Sequence, residues 1–320
     1  MTRPWSNPRS TGLVCAAGAV GLGLAYMAMA GAPTRYLGMN LAALAIGLAA
    51  FAATARYVRQ AGGLPAAVTL ALGAALLASA LFGITVEGAT RWLRVGSVVL
   101  QPSLMVVPLL TVAFMRQRGA MAACGMGLAA LALAIQPDRA MAGVLAAGLT
   151  AVAVARRDRR SVAALLAAVA AFAVALLRPD ALPAVPFVDQ VFYNAFGVHP
   201  LAGLAVAGGA ALLLAPALTG RAGERDLCAV FAAVWIAVIA AAALGNYPTP
   251  LVGYGGSAIL GYLLSVSLLP GAGGSRVGAK RGSADAVPSG PTDQGGDPRT
   301  MAPGAPIRAA AGPAWGTGGV

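Results

Sequence analysis

Residues Val86–Ser103 read VEGATRWLRVGSVVLQPS, with long apolar runs on both sides. The stretch holds one carboxylate (Glu87), two arginines (Arg91 and Arg94), Trp92 and the pair Gln101-Pro102. Bare guanidiniums are expensive in hydrocarbon, so the segment belongs at a membrane face or against a wet cavity. Two readings fit. In one it is a re-entrant or interfacial loop whose Arg and Trp side chains anchor to lipid headgroups. In the other the planar guanidinium forks grip phosphate through paired hydrogen bonds. Residue chemistry leaves both open.

The composition around it is that of a polytopic membrane protein. The chain has 320 residues, 59% of them hydrophobic and only 10% charged, whereas soluble domains carry about 25% charged residues. Ala and Gly dominate the apolar runs, and small residues let membrane helices approach closely. Cys15, Cys124 and Cys228 fall in apolar runs without metal-ligand spacing, which predicts buried small hydrophobes and no disulfide framework. A single histidine, His199, excludes a multi-histidine metal site.

Apolar runs near 12–30, 38–58, 64–84, 102–116, 119–136, 140–155, 161–178, 200–219, 227–246 and 255–270 predict an all-α transmembrane bundle of about ten helices. The first run is longer than a signal-peptide core, so it reads as an uncleaved helix. Alternate connections hold Arg3 and Arg9, Arg56 and Arg59, Arg116 and Arg118, Arg156, Arg157, Arg159 and Arg160, and Arg221 and Arg225. This bias predicts that both termini are cytoplasmic. It also accounts for much of the formal net charge of +12 without nucleic acid. The expected organisation is a cytoplasmic N-terminus (1–11), a transmembrane domain (12–270) and a cytoplasmic tail (271–320) whose Gly, Pro and Ser content predicts disorder.

With that topology four polar islands share the outer face. They are Val86–Ser103, Gln136-Pro137-Asp138-Arg139, the loop 178–200 with Asp189, and residues 248–257 ending in Gly253-Tyr254-Gly255-Gly256-Ser257. Proline and glycine mark irregular backbone there, which survives at membrane depth only when buried in protein or lining a cavity. The Gly-Tyr-Gly-Gly-Ser run is a close-packed turn or an anion-binding nest, and packing is the favoured reading. Asp138 reads first as a structural partner of an arginine. Asp189 reads as a general base, a metal ligand or a structural carboxylate.

Together the islands resemble the SEDS family (shape, elongation, division and sporulation) of RodA- and FtsW-like proteins. The family signature V-N-G-A-x-R-W-I-x-(L/V)-G, then I-Q-P-S-E, is similar to Val86-Glu87-Gly88-Ala89-Thr90-Arg91-Trp92-Leu93-Arg94-Val95-Gly96, then Leu100-Gln101-Pro102-Ser103. Q-P-D-L-G-T resembles Gln136-Pro137-Asp138. H-T-D-F-I-F resembles Phe187-Val188-Asp189-Gln190-Val191-Phe192. P-L-P-x-V-S-Y-G-G-S resembles Pro248-Thr249-Pro250-Leu251-Val252-Gly253-Tyr254-Gly255-Gly256-Ser257. The family's Asn is Glu87 here, its Glu after Q-P-S is Leu104, and its long outer loop is cut short, so the resemblance is to a shortened, diverged member.

The resemblance implies an inner-membrane protein of cell division or cell shape that polymerises lipid II into peptidoglycan glycan strands beside a class B penicillin-binding protein. It implies Asp189 as the catalytic base of an inverting glycosyltransferase. Arg91 and Arg94 would hold the substrate diphosphate, with a divalent cation such as Mg2+ as the cofactor that would fit. Glu87, Trp92, Gln101, Gln136, Asp138, Tyr254, Gly255, Gly256 and Ser257 would line the cavity. The alternatives are a non-catalytic scaffold that binds lipid-linked precursor or a penicillin-binding protein, and a transporter of that precursor.

Overall fold

The computed structural model describes residues 7–271 apart from 87, 97, 118, 180 and 181. Glu87, Asp180 and the expected tail from 272 onward lie outside the described residues. The helices are α1 (Pro8–Met29), α2 (Thr34–Ala61), α3 (Ala66–Phe82), α4 (Pro102–Arg116), α5 (Ala120–Ile135), α6 (Arg139–Arg156), α7 (Arg159–Leu176), α8 (Val191–Val198), α9 (Pro200–Leu212), α10 (Ala215–Leu218), α11 (Arg225–Leu244) and α12 (Gly256–Ser267). Leaving aside the short α8 and α10, each helix coincides with one of the apolar runs. Five spans are long and apolar enough to cross a bilayer, and α3, α4, α5, α9 and α12 are shorter apolar helices. Side chains such as Ile46, Leu166 and Leu204 face outward, as they do on a lipid-facing surface.

Local chemistry sets the helix ends. Asn7 Oδ1 accepts from Ser10 N–H ahead of α1, and Pro8 takes the first turn, where a missing N–H costs nothing. Asp158 caps α7 by accepting from Arg160 and Ser161 N–H groups, both at 3.0 Å. His199 caps α9 through Nδ1, which accepts from Leu201 N–H at 3.1 Å. The run at 200–219 does not make one helix. Pro216 lacks an N–H and its ring crowds the carbonyl four residues back, at Leu212, where α9 ends.

α4 and α12 are buried over most of their surface and pack on each other at the centre. Around them α2, α3, α6, α11 and α1 pack as a shell. Small residues permit the closest crossings. A Cβ on Gly261 of α12 would strike the Leu104 carbonyl of α4, and one on Gly125 of α5 would strike backbone at Thr69 of α3. Cys15 and Cys228 are buried as expected, but Cys124 is exposed. It lies on the outward stripe of α5, where an apolar thiol needs no cover from protein.

The segment between α3 and α4 is neither helix nor plain loop. It is a three-stranded antiparallel sheet in the order β1 (Ile84–Val86), β2 (Ala89–Val95), β3 (Val98–Leu100). Val86 pairs with Ala89 and Val95 with Val98, so each turn has two residues. Gly88 and Gly96 sit in those turns with φ of 80° and 61°, which a side chain would strain. Thr85 and Thr90, opposite each other, share a hydroxyl hydrogen bond of 2.8 Å.

The two ends of the bundle differ chemically. One collects the sheet, the α5–α6 turn, the segment 177–199 and the segment 245–255. At the other, arginines close helix C-termini. Arg9 Nε donates to Leu269 O, Arg116 to Leu268 O, and Arg156 to Phe114 O.

Candidate functional site

The segment from Gly245 to Ser257, which enters α12, ties the polar islands together. Ser257 Oγ accepts from the Gln101 backbone N–H at 2.9 Å, joining the fourth island to the first. Tyr247 OH accepts from Gln101 Nε2 at 2.7 Å. Further along, Thr249 N–H donates to Val188 O at 2.9 Å and Tyr254 N–H to Phe187 O at 2.6 Å. Asp189 therefore sits on backbone stitched to this segment.

Asp138 is the hub of the inner half of the site. It is fully buried and caps α6 by accepting from Met141 N–H at 3.1 Å. Its Oδ2 also accepts from Ser103 Oγ at 2.8 Å and Gln101 Nε2 at 3.2 Å. Arg91, buried, donates to Pro137 O at 2.6 Å and so grips the backbone next to the carboxylate. Gln136, also buried, donates to Ser79 Oγ at 3.0 Å. Burial pushes the Tyr247 phenol well above its ordinary pKa, and the nearby Asp138 charge pushes it further. The phenol stays protonated across the working pH range. Asp138, Gln101, Ser103 and Tyr247 form a connected polar network, the kind that fixes a unique core, while Gln136 Oε1 is buried without a hydrogen-bond partner among the described residues.

Asp189 forms the outer half. It is 6% exposed. Its Oδ2 accepts from Val185 N–H at 2.8 Å, while Oδ1 makes no hydrogen bond among the described residues. Burial raises the carboxyl above the usual carboxylate range, and the Val185 hydrogen bond offsets part of that rise. The backbone around it is strained. Phe187, Gln190 and Leu251 hold φ of 65°, 56° and 62°, values costly for side chains with a Cβ. Tyr254 stacks on Tyr36 with centroids 3.9 Å apart and planes 12° from parallel, and Arg35 lies 5.3 Å over the Tyr36 ring. Phe187 meets Tyr36 edge-on. An aromatic surface, a cation and a carboxylate thus belong to one group of packed segments.

The sequence-derived residues divide accordingly. Gln101, Gln136, Asp138 and Ser257 belong to the buried network, while Trp92 lies half-buried on β2. Arg91 and Arg94 do not come together. Arg91 is the extra residue at a register shift in the β1–β2 pairing, between Thr90 and Trp92, and it is buried, whereas Arg94 pairs regularly with Val99 and is exposed. Asp138 has Gln101, Ser103 and a helix N-terminus as partners, not the arginine pairing its sequence suggests. The Gly-Tyr-Gly-Gly-Ser run is largely a packing element. Gly255 N–H donates to Asn40 Oδ1 at 3.2 Å and Asn40 Nδ2 to Gly253 O at 2.9 Å. Asn40, Arg35, Tyr36 and Tyr247 were not singled out as site residues from the sequence, and Thr249 entered only as a position of the fourth motif. Only Asn40 gave a signal, as a polar residue in an apolar run. Thr249 Oγ1 is buried without a hydrogen-bond partner among the described residues.

No protein-family model matches the chain, and no curated protein matches it. Solved structures do. The chain is similar to the crystal structure of Thermus thermophilus rod shape determining protein RodA, with a TM-score of 0.53 and 22% identity over 80% of this chain and 94% of that one. An aspartate-to-alanine mutant of the same RodA matches with a TM-score of 0.52 and the same identity and coverage. The chain has the RodA fold. The SEDS-like architecture expected from the four motifs is therefore present, in a multi-pass membrane protein with a small sheet between α3 and α4. Within the RodA fold the first and fourth motifs meet where Gln101 bonds Ser257, and the third and fourth where Thr249 and Tyr254 bond the backbone before Asp189.

Proposed function

We propose that the chain is a SEDS-like enzyme of bacterial cell-wall synthesis that polymerises lipid II into peptidoglycan glycan strands. It works in the cytoplasmic membrane with both termini inside and the Asp189 end outside, beside a class B penicillin-binding protein. The observation that carries the reading is Asp189. It is a buried carboxylate with a raised pKa and one oxygen without a hydrogen-bond partner among the described residues, on strained backbone beside an aromatic pair. A base with a pKa nearer the working pH is a better proton acceptor.

In this mechanism Asp189 Oδ1 takes the proton of the acceptor sugar's 4-hydroxyl. The hydroxyl oxygen attacks the donor's anomeric carbon from the face opposite the lipid diphosphate. The carbon–oxygen bond to that diphosphate breaks, undecaprenyl diphosphate leaves, and the configuration inverts. Arg94, exposed on β2, is the guanidinium available to the departing diphosphate. Arg91 acts instead as a positioning residue through its bond to Pro137 O. Among the described residues no three His, Cys, Asp or Glu side chains come together. A divalent cation such as Mg2+ would therefore find no dedicated protein cage among the described residues; it would be held chiefly by substrate phosphates and water, as Mg2+ commonly is, and would supply charge to the diphosphate.

The test is polymerisation of labelled lipid II by the purified chain, alone and with a class B penicillin-binding protein. Glycan strands that disappear in Asp189→Asn support the reading. Strand synthesis unchanged by that substitution overturns it. Lipid II bound tightly with no polymer, in the presence of the partner, assigns the chain to the scaffold alternative.

A further inference from the structure

The arginine-rich end of the bundle contains a second polar cavity, remote from Asp189. Its volume is ≈ 430 Å³, within the roughly 300–1,000 Å³ typical of small-ligand sites. It lies where α2, α4 and α12 end, lined by Val58, Gly62, Pro65, Arg116, Gln117 and Leu268 among others. Gln117 is fully engaged there, donating to Leu64 O at 3.0 Å and accepting from Thr69 Oγ1 at 2.7 Å. Arg116 uses one N–H on Leu268 O at 2.9 Å, and no other hydrogen bond or ion pair occupies its remaining donors among the described residues. Arg9 holds the neighbouring carbonyl, Leu269 O, at 3.0 Å and lies within electrostatic reach of both Arg116 and Arg59. Arg59 follows the lining residue Val58, is exposed, and makes no hydrogen bond or ion pair among the described residues.

Arg116 thus lines the cavity, Arg9 lies within electrostatic reach of both Arg116 and Arg59, and no carboxylate is among the cavity's lining residues. The first 137 residues contain a single acid, Glu87, which falls in sequence between β1 and β2 beyond the far end of α3. Of the acids at the arginine-rich end among the described residues, Asp226 stands in the first turn of α11, and the other two are engaged with arginines outside the cavity lining. Asp158 pairs with Arg156 at 2.8 Å, and Glu224 accepts from Arg221 N–H. Beyond 271 the sequence carries five basic residues against three acidic, a net positive charge. Uncompensated guanidiniums at a bilayer surface call for an anion, and their forked donors match phosphate oxygens.

We propose that this cavity binds a phosphate-bearing anion, supplied by the headgroup of an anionic membrane lipid, which bridges Arg116 to Arg59 and Arg9. The site fastens together the ends of α2, α4 and α12, whose opposite ends carry Asn40, Gln101 and Ser257. The experiment uses the full chain in detergent, with phosphatidylglycerol, phosphatidylcholine and inorganic phosphate as probes, read by native mass spectrometry and thermal unfolding. Phosphatidylglycerol is expected to bind and raise the unfolding temperature, phosphatidylcholine to do neither, and Arg59→Gln to weaken phosphatidylglycerol binding about tenfold. Arg116→Lys, which keeps charge and a donor for Leu268 O, guards against misfolding and is expected to weaken binding less. Competition by millimolar inorganic phosphate would support the anion site and identify free phosphate as a second source. Equal binding of the two lipids overturns the proposal. So does an equal loss in Arg159→Gln, an exposed arginine at the same end outside the cavity, because general surface potential would then account for the effect.

Discussion

At the scale of single residues, Asp138 and Asp189 look alike in sequence, each an acid in a polar island, but the fold gives them different partners. Asp138 has Gln101, Ser103 and the start of α6 as partners. Asp138→Ala strands those donors in a buried network and is expected to destabilise the protein by about 3 kcal/mol, measured by thermal unfolding in detergent. Asp189 is held by one backbone N–H, and its carboxyl is raised. Between the unfolded and folded pKa values the native state binds more protons than the unfolded state. Its contribution to stability is thus complete below the unfolded pKa and is lost as pH rises through the folded one. Asp189→Asn is therefore expected to unfold at a higher temperature than the parent above that window, while losing polymer synthesis by a factor on the order of 10²–10⁴. In the parent, activity is expected to rise with pH through the Asp189 titration, and the variant's residual rate to lack that limb. Thr249, whose buried hydroxyl has no hydrogen-bond partner among the described residues, offers a separate contrast. Thr249→Val is expected to leave stability unchanged or raise it by about 1 kcal/mol, yet to cut glycan synthesis several-fold by removing a donor for substrate. A fall in both stability and activity would mean that the hydroxyl serves the fold instead.

At the scale of elements, helix ends and helix crossings depend on few atoms. Asp158 caps α7 with two backbone bonds and also accepts from Ser161 Oγ and Arg156. Asp158→Ala is expected to cost about 1 kcal/mol. The backbone bond from Ser161 is the main cause holding the Asp158 carboxyl below its ordinary value. The cap's contribution is thus present above the unfolded pKa and fades as pH falls through the folded one, so parent and variant should converge in acid. Two glycines on α5 separate packing from propensity. A Cβ at Gly125 meets backbone of α3, and Gly125→Ala is expected to destabilise by about 2 kcal/mol. A Cβ at Gly127 meets nothing within 4 Å, so Gly127→Ala should be neutral or slightly stabilising. Unfolding curves of the pair decide whether close approach or helix propensity governs α5.

At the scale of the whole molecule, the two ends of the bundle carry different chemistry, and orientation converts that difference into function. In a cysteine-free background, Ala184→Cys, in the exposed segment before Asp189, is expected to react with a membrane-impermeant maleimide in intact spheroplasts. Ala222→Cys, in the arginine-rich end, should react only after lysis. The reverse pattern would put Asp189 on the side where lipid II is made rather than polymerised.

The sequence by itself determined what depends on local chemistry and composition. Each of the ten apolar runs became helix, the run at 200–219 as two pieces, because hydrocarbon demands satisfied backbone. The motif residues Gln101, Asp138, Asp189 and Ser257 were legible because polar groups are rare in such runs. Tertiary structure alone decided the rest. Arg91 and Arg94 read as one clamp, but the strand pairing buries Arg91 at a register shift and leaves Arg94 exposed, a consequence of the pairing rather than of residue type. Asn40 and Gln101 are drawn to Gly253 and Ser257 across more than 150 positions of sequence, and no local pattern encodes which distant carbonyl or hydroxyl a buried amide will find. That choice belongs to helix packing, which brings α2, α4 and α12 together and makes a buried donor adopt whatever acceptor the crossing supplies.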